Sequence, residues 1–374
     1  MTVPRILIAT GGTAGHIVPA LAVAGRLRDS GAEVIFAGGG RAEAQMVPEA
    51  GYEFHQLRVA SLSRRSPLRA TSAVVVDALA VAAAARLLTR VRPRAVFGGG
   101  GYASGPVGVA AAMLRVPLVI AELDGHLGLT NRMLAPLSRR VCTALPLGVE
   151  SPRFVITGRP IPPMPADRGA ARARFGVSAG ETLVLIFGGS LGARSINNAA
   201  LEAFADSDFR VLHAAGERDL AALRSPRAGY DLRGYVSGFM DAIVAADLVV
   251  ARSGGSIWEI AAAGRPSILI PYPHATADHQ TVNAEYLANA GASVIIRDAE
   301  LDARRLRFEV DGLLADRERL ASMQRAALGL ARPHAAAVVA SEILTAAGLG
   351  SLVAPGEHVA ELEQGVAARG RDGS

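Results

Sequence analysis

At 374 residues, with 50% of them apolar and 20% charged, the chain is long enough for two or three globular domains, each able to bury its own core. Its formal net charge of +5 rests on arginine alone, since the sequence has no lysine, which excludes a P-loop lysine, a Schiff-base lysine and lysine-held pyridoxal phosphate. The single cysteine, Cys142, can form neither an internal disulfide nor a cysteine-based metal site, and a reducing cytoplasm fits.

In chain order, Arg5 to Thr10 reads as a strand, Val18 to Asp29 as a helix and Glu33 to Ala37 as a strand. Ile6 to Ala9 is far shorter than a signal-peptide core. Pro67 to Arg94 places Val74, Val75, Val76, Leu79, Val81, Leu87 and Leu88 among Arg69, Arg86, Arg90, Arg92 and Arg94. Such a segment is either a core-facing helix with solvated arginines or a basic amphipathic face for an anionic bilayer, and it is too interrupted to cross one. Further strands are expected at about Arg94–Phe97, Leu118–Glu122 and Val141–Ala144. Strands alternating with amphipathic helices imply parallel βαβ units in a doubly wound α/β sheet, with ligands at the carboxyl ends of the strands.

Gly158 to Pro165 carries four prolines in six residues, incompatible with helix or central strand, and is read as the interdomain linker. The rhythm then restarts with strands at Leu183–Phe187, Arg210–His213, Leu248–Ala251, Ser267–Pro271 and Ser293–Ile296, and a helix at Ala193–Ala205. Two helical segments are expected between Ala303 and Ala347, then a polar, loose tail. The domains are therefore expected at 1–160 and 161–347, the last helix packing back on the first domain, with 348–374 as tail.

Both halves open alike, a strand running into Gly11-Gly12-Thr13-Ala14-Gly15 in one and Gly188-Gly189-Ser190-Leu191-Gly192 in the other. Neither turn has the dinucleotide spacing, and the second strand ends at Ala37-Gly38-Gly39-Gly40 with no acidic residue for a ribose, so a nicotinamide cofactor fits poorly. Glycine turns of this kind let backbone N–H groups approach an anion closely. Ser253 to Glu259 and His274 to Asn283 form the other promising pair of stretches. Ser256-x-x-Glu259 is a capping box, yet a carboxylate in the first turn of that helix also suits two ribose hydroxyls. His16, at the mouth of the first turn, is either structural or a general base. His274, Asp278 and His279 lack the helical spacing or cysteine support of a metal site.

Six stretches, in this order, resemble one family: Gly11 to His16; Gly100-Gly101-Tyr102-Ala103-Ser104-Gly105-Pro106; Gly128-Leu129-Thr130-Asn131-Arg132; Gly188 to Arg194; Arg252-Ser253-Gly254 with Glu259 to Gly264; and Asp278 to Ala284. The family is the MurG-type glycosyltransferases of family 28, and the likeness runs from about residue 5 to 345. It implies a GT-B fold, two Rossmann-like doubly wound parallel-sheet domains facing a cleft. It also implies inverting transfer of N-acetylglucosamine from UDP-N-acetylglucosamine to lipid I in peptidoglycan synthesis, with no bound metal or cofactor. On the sugar-donor side the resemblance assigns Ser190 to the pyrophosphate, the backbone near Met240 to uracil and Glu259 to ribose. Arg252, Ser253, His279 and Gln280 line the same pocket. On the acceptor side it assigns Thr13, Ala14, Gly15, Tyr102, Ser104 and Asn131, with His16, Glu122 and Asp124 nearest the chemistry. Partners implied are a lipid-linked acceptor, an anionic membrane surface on the inner face of the cell membrane, which the resemblance has the Pro67 to Arg94 segment facing, and other cell-wall synthesis proteins, and no nucleic acid.

The chain departs from the family pattern at Ala14 for glycine, at Leu123-Asp124 for Gln-Asn, and at Arg159 to Pro162, where the family's linker arginine is missing and Arg159 is the neighbouring substitute. Asp124 brings negative charge towards an anionic acceptor. Two alternatives therefore stand beside the lipid I reading: the same sugar-donor site serving another lipid or natural-product acceptor, and a nucleotide-sugar-binding protein that has lost catalysis.

Overall fold

The computed structural model describes residues 3–59, 67–189 and 192–350, apart from the side chains of 67–77 and of Thr276. The tail expected beyond Gly350 lies outside the described residues. These residues separate into two compact units, one within Met1–Pro162 and Arg332–Ser374, the other Pro163–Ala331.

The first unit runs β1 (Arg5–Ala9), α1 (Ala14–Asp29), β2 (Glu33–Gly38), α2 (Glu43–Glu49), β3 (Glu53–Gln56), α3 (Pro67–Val91), β4 (Ala95–Gly98), α4 (Ser104–Met113), β5 (Leu118–Glu122), α5 (Leu129–Leu134), β6 (Arg140–Thr143) and β7 (Phe154–Ile156). Its seven strands are parallel in the order β3-β2-β1-β4-β5-β6-β7. A central parallel strand is covered on both faces, so it reads as a continuous apolar run. In β1, Ile6 and Ile8 enter one core with Ile17, Val23 and Phe36, while Leu7 and Ala9 point the other way into a core with Leu87, Leu88 and Ile120.

From Ala80 onward α3 faces that second core: Ala80, Ala84, Leu87, Leu88 and Val91 are all buried, at helical spacing. Leu87 and Leu88 are thus core residues, which corrects their placement on a bilayer-facing surface. Leu79 stays 65% exposed. The valines at 74–76 and Arg69 lie outside the described side chains.

The second unit runs α6 (Arg168–Arg174), β8 (Leu183–Phe187), α7 (Arg194–Ala203), β9 (Arg210–Ala214), α8 (Glu217–Leu220), β10 (Tyr230–Arg233), α9 (Phe239–Ala245), β11 (Leu248–Ala251), α10 (Ile257–Ala262), β12 (Ser267–Leu269), α11 (His279–Asn289), β13 (Ser293–Ile295), α12 (Ala303–Ala315) and α13 (Arg317–Leu330). Its six parallel strands are ordered β10-β9-β8-β11-β12-β13, the arrangement of the first unit over again. Asp316 caps α13 by accepting from the Arg319 amide at 2.9 Å, so α12 and α13 are separate helices meeting at that residue.

The chain then returns to the first unit as α14 (Ala335–Ala346), which packs against α1. Val339, Ala340, Ile343 and Leu344 complete the core around Ile6, Ile8 and Phe36. Three helices therefore occupy the stretch from Ala303 where two are expected. In both sheets the strand order reverses between the first and fourth strand of the unit, and in folds of this kind the crevice outside that point is where ligands bind.

Candidate active site

In the first unit the loops after β1 and β4 meet at the reversal point. Gly12 takes φ +106°, and Gly101 takes φ +80° so close to the other loop that a Cβ would lie 1.9 Å from the Gly11 carbonyl oxygen. Only glycine fits there. Thr13 is exposed and extended, and α1 begins at Ala14 without a left-handed backbone, so Ala for Gly costs no strain at that position. His16 lies in the first turn of α1, its ring packed over Gly100, where a Cβ would come within 2.5 Å of the imidazole Cδ2. Thr10 Oγ1 donates to the His16 carbonyl at 3.3 Å, tying this turn to the end of β1.

Tyr102 lies across Gly39 and donates its hydroxyl to Glu43 Oε1 at 2.6 Å. Burial and the neighbouring Glu43 carboxylate push the phenol up to about 12. Ser104 is buried, and its hydroxyl serves the Ala9 and Gly100 carbonyls at 2.9 Å each. It braces the loop rather than presenting a hydroxyl.

After β5, Glu122 accepts from the Gly128 amide at 2.8 Å, the Asn131 side chain at 2.9 Å and the Asp124 amide at 3.3 Å. Burial holds its carboxyl above the usual range, against these bonds and with the help of the Asp124 charge. Asn131 also donates to the Ala121 carbonyl at 2.9 Å, so Glu122 and Asn131 together fold the Asp124 loop, and Asp124 itself is half-buried.

Arg159, 5% exposed, reaches across this unit to the Leu123 carbonyl at 3.3 Å and to the Gly15 carbonyl. The second contact has a cause in the sequence. Pro19 lies inside α1 and has no N–H, so the carbonyl four residues before it, Gly15, loses its helical donor and the guanidinium supplies one. Arg159 joins the His16 turn to the Asp124 loop.

In the second unit β8 leads into Gly188-Gly189, with Gly189 at φ +92° matching Gly12; Ser190 lies outside the described residues. Gly192 passes so close to the loop after β9 that a Cβ would sit 2.1 Å from the Ala215 carbonyl oxygen. Arg252, at the end of β11, is 7% exposed. It pairs with Asp298 at 2.6 Å and donates to Ser195 Oγ at 2.9 Å, the Ile270 carbonyl at 3.2 Å and the Pro271 carbonyl at 3.1 Å. It therefore fastens the start of α7 and the loops after β12 and β13 to its own.

The stretches around Ser253 and His274 are stitched together. Ser253 Oγ donates to the Gln280 carbonyl at 2.7 Å, Asn283 Nδ2 to the Ser253 carbonyl at 3.0 Å and the Tyr272 amide to Gln280 Oε1 at 3.0 Å. His279 opens α11, and Asp278 before it holds a left-handed backbone, φ +53°. Glu259 is the third residue of α10. Ser256 makes no side-chain capping bond there, so the capping-box explanation of Glu259 lacks its reciprocal half. Met240, half-buried, is the second residue of α9.

Glu43, Ser195 and Asp298 belong to these clusters and were not singled out from sequence. The run Gly38-Gly39-Gly40 was the available signal for Glu43. A Cβ on Gly39 would meet the Tyr102 hydroxyl at 2.0 Å, and one on Gly38 would meet Glu43 Cγ at 2.9 Å.

Residues 6–143 match the Glycosyltransferase family 28 N-terminal domain, and residues 183–339 the Glycosyltransferase family 28 C-terminal domain. The chain belongs to glycosyltransferase family 28. A family relative from Moorella thermoacetica is 40% identical over 364 residues, covering 91% of this chain and 98% of its own. It is named UDP-N-acetylglucosamine--N-acetylmuramyl-(pentapeptide) pyrophosphoryl-undecaprenol N-acetylglucosamine transferase. A protein of the same name from Alkalilimnicola ehrlichii is 43% identical over 358 residues, with the same coverage. Among solved structures, Acinetobacter baumannii MurG superposes with a TM-score of 0.73 at 27% identity over 91% of this chain and 99% of that one. The calicheamicin glycosyltransferase CalG4, at TM-score 0.68 and 20% identity over 95% and 100% of the two chains, shares the fold. Two parallel-sheet domains with such neighbours make this a GT-B glycosyltransferase fold.

Proposed function

We propose that the chain transfers N-acetylglucosamine from UDP-N-acetylglucosamine to the muramyl pentapeptide of undecaprenyl-linked lipid I, forming lipid II. The observation that carries this is 40% and 43% identity, across nearly their whole length, to two family members named for that transfer.

The second unit takes the sugar nucleotide. Glu259 accepts from the ribose hydroxyls, the backbone at Met240 meets uracil, and the glycine turn with Ser190 meets the pyrophosphate. His279 and Gln280 face phosphate and sugar, on a floor that Arg252 and Ser253 hold in place. The first unit takes the acceptor along Thr13, Ala14, Gly15 and Tyr102 and the Asp124 loop shaped by Glu122, Asn131 and Arg159, with Ser104 bracing it from beneath. An acceptor hydroxyl forms its bond to the anomeric carbon as the bond from that carbon to UDP breaks, inverting the centre. His16 takes the hydroxyl proton, and UDP leaves as an anion met by turn N–H groups and arginine.

A lipid-linked acceptor asks for contact with a bilayer, and no helix among the described residues is long and apolar enough to cross one. An exposed stripe supports contact from outside. Leu129, Met133 and Leu137 recur every four residues, 50–62% exposed, with the exposed Arg132 and Arg139 close to them in sequence; Met113, Leu114 and Arg115, at and just past the end of α4, which packs on α5, are exposed too. Apolar anchors rimmed by arginine suit an anionic leaflet.

The deciding experiment supplies purified protein with UDP-N-acetylglucosamine and lipid I and follows lipid II and UDP. Donor consumed with a different acceptor, but not with lipid I, would reassign the substrate; tight UDP binding with no transfer to any acceptor would make it a binding protein.

A further inference from the structure

Among the described residues, Glu43 is a carboxylate with no exposed surface, and it belongs to none of the stretches that carry the family likeness. Its oxygens are held by donors from three separate loops. Oε1 accepts from the Tyr102 hydroxyl at 2.6 Å, after β4, and from the Arg41 amide at 3.5 Å, after β2; Oε2 accepts from the Gly12 amide at 3.0 Å, after β1. A Cβ on Gly11 would come within 3.0 Å of Oε1, so the first turn is moulded around this group. The Arg41 guanidinium lies 4.9 Å over the Tyr102 ring and closes the cluster from the other side. Burying a carboxylate is costly, and packing alone would be better served by an apolar side chain. What a carboxylate adds is directional: it fixes three donors at one set of coordinates, at the end of the sheet where the strand order reverses.

We propose that Glu43 is a positioning residue for the transfer, its buried carboxylate locking the turn that carries Thr13 and His16 against the Tyr102 loop. This rests on the assignment of that turn to the acceptor. Glu43 touches no reacting atom; it acts through Gly12 and Tyr102.

The test compares wild type with Glu43→Gln, Glu43→Ala and Tyr102→Phe. In Glu43→Gln, hydrogen exchange at the Gly12 amide should rise about tenfold while the middle of α1 keeps its protection. Turnover should fall by about tenfold with the KM for UDP-N-acetylglucosamine unchanged, and further in Glu43→Ala. Tyr102→Phe leaves the carboxylate in place, should fold if Glu43→Ala does not, and should lose less than additively when combined with Glu43→Gln. A folded Glu43→Gln whose Gly12 amide exchanges as in wild type, or whose turn loosens with no change in turnover, overturns the proposal. A wild-type chain that transfers nothing to lipid I overturns the functional assignment instead, and Gly12 exchange still decides whether the carboxylate holds the turn.

Discussion

Next to His16, Arg159 fills a single break in helical bonding at Gly15. Pro19 withholds an amide from the Gly15 carbonyl, Arg159 replaces it, and the same guanidinium holds the Leu123 carbonyl. Arg159→Ala should therefore destabilise the chain by about 1–3 kcal/mol, chiefly through the buried Leu123 carbonyl left without a donor, measured by urea titration. Pro19→Ala in the Arg159→Ala background should recover part of that loss, because residue 19 regains an N–H for Gly15; no recovery would mean the two sites are independent. His16→Ala should lower turnover about 10²–10⁴-fold, the usual worth of a general base, with little effect on donor KM. Turnover unchanged in that variant would move the proton transfer to another group. At this scale the sequence marked positions better than roles. Arg159 was visible as a substitute for the family's linker arginine, but its partners are main-chain carbonyls, and nothing in a string of side chains shows which carbonyl a distant proline has freed. Ser104 and Arg252 likewise read as ligand contacts, whereas their donors serve the loops beneath.

Elements were legible where burial on both faces writes an unbroken apolar run. Leu118–Glu122, Leu183–Phe187 and Leu248–Ala251 have the same bounds in sequence and structure. The edge strands Glu53–Gln56 and Phe154–Ile156, and Tyr230–Arg233 at the edge of the other sheet, went unread. An edge strand is short and half-solvated, so Glu-Phe-His-Gln carries little apolar signal. Helix starts erred for a related reason: Pro19 argues for a start near Val18, while the structure carries α1 four residues earlier and lets Arg159 mend the gap. Two glycines test the loop geometry. Gly101→Ala forces a Cβ to 1.9 Å from the Gly11 carbonyl oxygen at φ +80°, and should cost at least about 3 kcal/mol or prevent folding. Gly25→Ala, inside α1 with nothing within 4 Å, should instead stabilise by about 0.5–1 kcal/mol in thermal or urea melts. The exposed stripe makes its own prediction: Met133→Asp should weaken sedimentation with anionic vesicles while leaving the melting temperature unchanged, because Met133 is 62% exposed and contributes little to the core.

At the scale of the whole molecule, the repetition of one strand order in both sheets explains why both glycine turns read alike. Each is the first βα turn of its unit, reached with the same left-handed glycine. The exception to this symmetry is α14, whose side chains finish the first unit's core although its sequence follows the second. Ile343 is fully buried there, and Ile343→Ala should cost about 2–5 kcal/mol in the transition that unfolds the first unit, leaving the transition of Pro163–Ala331 in place. Loss of both transitions together would mean that the units unfold as one.

That same excursion of the chain sets a timetable during translation. The half made second is contiguous and can close as soon as it clears the ribosome, whereas the half made first waits for its final helix. At ~5–20 residues per second the wait is roughly 10–35 s, with the side of the sheet bearing Ile6, Ile8 and Phe36 lacking its last cover. A nascent polypeptide in that condition is a natural client for a chaperone that shields apolar surface, and a ribosome stalled before Ala335 would release a chain prone to aggregate.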